Sequence, residues 1–171
     1  MRLCFLIAFL FYVNNIKYAK NTIFDHALSN LSEYDFFEKP LKNHIPKKDV
    51  IPYEIASPLF SDYAEKMRFI RVPDGSKILL DDENNFIYPE NTYLIKTFYY
   101  YSDIRDQHSK KHIIETRILK NTSEGWLSFP YVWNENQTDA KLNLAGARIS
   151  ASWTHFDGNP IEILNLSLKH I

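Results

Sequence analysis

The sequence predicts an all-β protein, an antiparallel β-sandwich or jelly-roll-like domain with a short N-terminal helix. Three observations carry this expectation. Aromatic residues make up 15% of the 171 residues, and 11 Tyr and 12 Phe suit pleated, half-buried surfaces. From residue 66 onward, short alternating runs are separated by turn signals such as Pro73-Asp74-Gly75 and Asp157-Gly158. No βαβ alternation and no phosphate-binding glycine loop interrupts them, and the four glycines are isolated from one another.

The elements are taken in chain order. Arg2 followed by the apolar run Leu3–Val13 reads as a signal peptide ending near Ala19, because the run is shorter than the roughly 20 residues of a membrane span. The remainder, 20–171, reads as one β-rich domain without a stable membrane span, and the expected location is periplasmic or secreted. Ile23, Leu28, Leu31 and Tyr34 recur at near-helical spacing and predict a helix within 23–38. Pro40, Pro46, Pro52 and Pro58 then predict an extended segment, since each fixes φ and removes a donor. Ile45, Val50, Ile51, Tyr53, Ile55, Leu59 and Phe60 predict that this segment packs on the domain.

Lys66–Val72 alternates, with Met67 and Phe69 opposing Lys66 and Arg68. Asp81–Asn85 is a polar turn that lacks the spaced ligands of a calcium loop. Thr92–Tyr101 carries bulk on both faces and predicts a central strand. Lys111–Lys120 is the next strand, with Ile114, Thr116 and Ile118 assigned to one face. A turn at Asn121–Gly125 leads to Trp126–Trp133, and further strands are expected near 140–144, 149–153 and 161–166.

Composition excludes several functions. The net charge of −1 gives no basic surface for nucleic acid. Loss of residues 1–19 removes Arg2 and Lys17 and no acid, which moves the balance to about −3. Cys4 is the only cysteine, so the exported part has no thiolate metal site, disulfide, catalytic cysteine or Cys-x-x-Cys-His haem attachment. The six histidines show no metal-site spacing, and no nucleophile elbow occurs. No catalytic residue and no cofactor is assigned, and the chain reads as a non-enzyme.

Two candidate surfaces emerge. Lys66, Arg68, Glu115 and Arg117 form a candidate interaction surface, with cross-strand ion pairs from Glu115 and Arg117 to Lys96 or Arg68 as the structural expectation. Trp126, Tyr131 and Trp133 form a candidate ligand platform for sugar stacking, although core packing is the commoner fate of such residues.

Several segments in order carry a resemblance. They are Ser57–Phe69, Leu94–Tyr100, Ile114–Leu119, Gly125-Trp126, Tyr131–Asn134 and Thr138–Ala140. Across about 31–165 the chain resembles the haem-free N-terminal region of a family of bacterial di-haem c-type cytochromes. Similar segments accompany pyrroloquinoline-quinone-dependent sugar dehydrogenases. The resemblance implies an accessory or docking domain of a periplasmic redox system, with a cytochrome or dehydrogenase as partner. Haem c is expected only in full-length family members, where Cys-x-x-Cys-His segments follow this region. For this chain the expectation is a truncated family member, with one half of a split gene or a domain acting alone as the other forms it could take, and the functional alternative is a carbohydrate- or small-ligand-binding β-sandwich module.

Overall fold

The computed structural model describes residues 26–167. The run Leu3–Val13, Ala19 and the first residues of the expected helix lie outside the described residues. Strands β1 (Val50–Pro52), β2 (Glu65–Arg71), β3 (Leu79–Leu80), β4 (Phe86–Ile87) and β5 (Tyr93–Tyr101) come first. They are followed by β6 (Lys111–Thr122), β7 (Gly125–Trp133), β8 (Ala140–Leu142), β9 (Arg148–Thr154) and β10 (Pro160–Ser167). Six strands form one sheet in the order β1-β2-β5-β6-β7-β8, antiparallel throughout. β9 pairs with β10 and β3 with β4 as separate antiparallel hairpins.

The central position of β5 follows from its side chains, because both of its faces are apolar enough to be covered. Val50, Phe69, Ile95, Ile118, Phe129, Tyr131 and Trp133 point to one face, which is covered by Leu31, Tyr34, Phe36, Phe37 and Leu41. Burying each such side chain contributes about 1.5–3 kcal/mol. Phe98, Tyr100 and Ile114 point to the other face, where Ala151 and Trp153 of the β9–β10 hairpin cover one end. The Tyr100 and Trp153 rings stack there at 4.6 Å. The β6–β7 hairpin closes on Ser123-Glu124, with Thr122 opposite Gly125. Gly125 sits at φ +108°, and the Thr122 hydroxyl donates to its carbonyl at 2.7 Å.

Three expectations change. Of the expected helix within 23–38, the described residues hold a helical His26 and then a single 3-10 turn, Leu31–Tyr34, with no helix between them or from Asp35 to Glu38. Tertiary bonds hold this chain in place of intrahelical ones: Leu142 N–H donates to the Ser29 carbonyl, and the Ser32 N–H and hydroxyl both donate to the Asp139 carboxylate. In the proline-spaced segment, Val50 is buried, but Ile45, Ile51, Ile55, Leu59 and Phe60 are exposed. Along β1 only Val50 is buried, Ile51 and Pro52 face solvent, and past Pro52 a single further bond, from Tyr53 N–H to the Arg68 carbonyl, continues the ladder.

The third change lies in β6. Phe98 pairs with Glu115 but the next residue, Tyr99, pairs with Ile113, so Ile114 is an inserted residue at a bulge. Ile114 therefore joins the core under β9–β10, while Ile118 joins the opposite core. The three residues Ile114, Thr116 and Ile118 do not share a face.

Candidate interaction face

The strand register builds the site. Arg68 on β2 pairs with Lys96 on β5, and Lys96 pairs with Arg117 on β6. In the adjacent row, Lys66 pairs with Phe98, and Phe98 with Glu115. Both rows lie on the sheet face shared with the β9–β10 hairpin, because Phe98 belongs to that core. Adjacent strands are about 4.8 Å apart, so three cations stand side by side within roughly 10 Å. Like charges opposite one another in a sheet are destabilising.

Local contacts offset part of this cost. The Glu115 carboxylate is 1% exposed and accepts from Arg117 Nε at 2.7 Å and Nη2 at 3.0 Å. The Lys96 ammonium and the Arg117 guanidinium lie over the Phe98 ring at 5.1 Å and 5.0 Å from its centre. Arg68 faces Glu54 at 3.6 Å, and Lys66 donates to the Leu59 carbonyl. Burial holds the Lys96 ammonium below the usual lysine range, and Arg117, Arg68 and Lys66 push it the same way. Burial and Arg68 likewise lower Lys66.

The pairing differs from the cross-strand expectation. Glu115 bonds Arg117 on its own strand rather than Lys96 or Arg68. The reason is geometric, since residues two apart on a strand share a face and a bidentate guanidinium fits a carboxylate. A cleft of about 430 Å³ adjoins the pair, with Ser128, Pro130, Val132 and Leu144 along its wall.

The structure brings Lys66, Arg68, Glu115 and Arg117 onto one face, and it adds Lys96 at the centre of the ladder. Lys96 was legible as a same-face residue with Phe98, but its flanking cations come from other strands. The ligand platform fares differently. Tyr131 and Trp133 are core residues, 0% and 6% exposed, while Trp126 is exposed and contacts Tyr88. The three rings therefore share no surface. Tyr131 instead donates its hydroxyl to the Leu28 carbonyl, and Trp133 Nε1 donates to Thr116 Oγ1.

Protein-family models, curated proteins and solved structures offer no match to this chain. The site is accordingly interpreted from its own chemistry. Among the described residues no group of three or more His, Cys, Asp or Glu converges as a metal site. Asp81, the centre of the acidic turn, spends its oxygens on the Glu83 and Asn85 N–H groups and the Asn85 amide. No helix of the described residues is long and apolar enough to cross a membrane. Of the cations on this face, Arg68 is buried and Lys66, Lys96 and Arg117 are half-buried, with the buried acid Glu115 gripping Arg117.

Proposed function

We propose that the chain is an exported, non-catalytic docking domain that presents its cationic sheet face to an acidic surface of a periplasmic redox partner, a c-type cytochrome or a dehydrogenase. The observation that carries this reading is the row Arg68–Lys96–Arg117, backed by Lys66, on a chain whose net charge is −1. A fold that places cations opposite one another forgoes stability, and a partner carrying carboxylates would return it. The edges of the large sheet support recognition through a face. β1 ends at Pro52, and Ser29 and Asn30 bond along β8. The resemblance to the haem-free region of di-haem cytochromes supplies the class of partner.

The test uses immobilised protein and a periplasmic extract of its own source organism. Eluted proteins are stained for covalently bound haem after denaturing electrophoresis. A haem-stained band retained at low salt, released by salt, and lost with the double variant Lys96→Glu/Arg117→Glu supports the reading. Absence of any haem-stained band or dehydrogenase activity from the low-salt eluate overturns it. Export is checked by fusing residues 1–30 to a reporter active only outside the cytoplasm, and an inactive reporter removes the periplasmic assignment.

A further inference from the structure

Among the described residues the β9–β10 hairpin leaves the outer edge of β9 largely open. β9 pairs with β10 on one side only. Its other side is used at Thr154, whose N–H donates to the Ser102 carbonyl and whose carbonyl accepts from Ile104 N–H. Backbone groups alternate in direction along a strand, so those of Ser152 and Ser150 point the same way as those of Thr154. Among the described residues no strand pairs with them. Beyond Thr154 the segment Ser102–Ile104 turns away, and a cleft of about 450 Å³ opens between this edge and the start of β6. Ser102, Lys110 and His112 form one wall, and Ser150, Ser152 and Glu162 the other.

We infer that this slot receives an extended, carboxylate-bearing polypeptide segment of a partner, which adds to β9 as a third strand. Arg148 to Ser152 spans five residues, roughly 17 Å of strand, enough for several main-chain bonds. The stretch contains no proline, and Ser150 and Ser152 are small, so nothing blunts it. The outer edge of β10 differs: it begins at Pro160 and its register shifts between Ile163 and Leu166. Charge selects the occupant. Lys110 and His112 line the wall that the incoming strand would meet, whereas Glu162 lies on β10 opposite Ser152, one strand further away, so carboxylates at alternate positions of the incoming strand face the cation rather than the acid. A second copy of β9 would instead bring its own Arg148 beside Ser152, towards Lys110, and like charges would oppose it. This inference goes beyond the docking reading and stands on the open edge, not on the cationic row.

The experiment follows backbone hydrogen exchange of the full ¹⁵N-labelled chain by NMR. The probe is a capped hexapeptide alternating glutamate with valine, and its twin carries lysine for glutamate. In the free protein the Ser150 and Ser152 amides should exchange rapidly. Saturating glutamate peptide should slow both about tenfold or more while the lysine twin does not. Lys110→Glu should transfer the preference to the twin. Ser150 and Ser152 amides already protected in the free protein would overturn the proposal. So would unchanged exchange with the glutamate peptide, or equal slowing by both peptides. Lys96→Glu/Arg117→Glu should keep peptide protection, so loss of cytochrome retention and loss of strand addition are read separately.

Discussion

The His44 ring nitrogen Nε2 lies 3.0 Å from Thr97 Oγ1, in the middle of the core beneath the N-terminal segment. Thr97 Oγ1 is in turn 2.7 Å from Thr116 Oγ1, which accepts from Trp133 Nε1 at 3.0 Å. A histidine from a loop thus closes a polar chain across β5, β6 and β7. Phe37, Phe69 and Trp133 surround its ring. Buried polar groups cost little when every member is bonded and much when one is lost.

This burial predicts acid sensitivity. His44 is 4% exposed, and burial pushes its pKa down to about 4 from an ordinary value near 6.5. The unfolded chain therefore takes up a proton between pH 6.5 and 4 that the folded chain refuses. Stability contributed by the neutral ring is full above about pH 6.5 and falls as pH drops towards 4, by about 3 kcal/mol. Urea melts at pH 7 and pH 4 check this against His44→Gln, which should lose most of the difference between the two pH values. An unchanged pH slope in the variant would refute it.

Trp133 and Trp126 should behave oppositely. Trp133→Ala empties a core site and leaves the Thr116 hydroxyl without its donor, so a loss of about 3–5 kcal/mol is expected. Trp126 is 40% exposed, and Trp126→Ala should cost under about 1 kcal/mol. Denaturant midpoints of the two variants beside the parent decide this, and equal losses would contradict it.

Lys96 sits between two arginines, so removing its charge should not harm the fold. Lys96→Met is expected to stabilise by up to about 1 kcal/mol at low salt. Added salt screens the repulsion, so the parent should gain on the variant as ionic strength rises. Thermal melts at about 0.01 M and 0.5 M salt check the sign, and a variant less stable than the parent at low salt would refute it.

Glu115 is the buried acid that orients this face. Glu115→Gln leaves the Arg117 guanidinium partly buried with a neutral partner, and about 3 kcal/mol of destabilisation is expected. Glu115→Gln in the Lys96→Met background should cost less, because one cation fewer then lacks its counter-charge. A double-mutant cycle by chemical denaturation measures that coupling, and strict additivity would mean that Lys96 and Glu115 do not interact.

Much of the fold is written locally. The alternation expected over Thr92–Tyr101 appears as β5, and the Asp157-Gly158 turn joins β9 to β10, each depending on neighbours within a few residues; the turn expected at Asn121–Gly125 is tighter, since Asn121, Thr122 and Gly125 pair across the hairpin and only Ser123-Glu124 turn. Strand periodicity also placed Lys66 with Arg68 and Glu115 with Arg117 on common faces, because side chains alternate regardless of what they pack against.

The tertiary structure decided what alternation cannot carry. Ile114 and Ile118 are four apart and would share a face on a regular strand, and the sequence holds no sign that a bulge at Ile114 sends them to opposite cores; the offset exists only in the pairing of β6 with β5. His44 looked like any loop histidine until three strands and two phenylalanines closed around it. Leu59 and Phe60 looked destined for burial, yet the prolines around them kept the chain out of the sheet. Lys96 became the centre of a cationic row, and β9 the bearer of an open edge, only through registers between strands far apart in sequence. A strand's own residues fix which side chains share a face, whereas cross-strand hydrogen bonds fix which strand lies beside it and what covers each face.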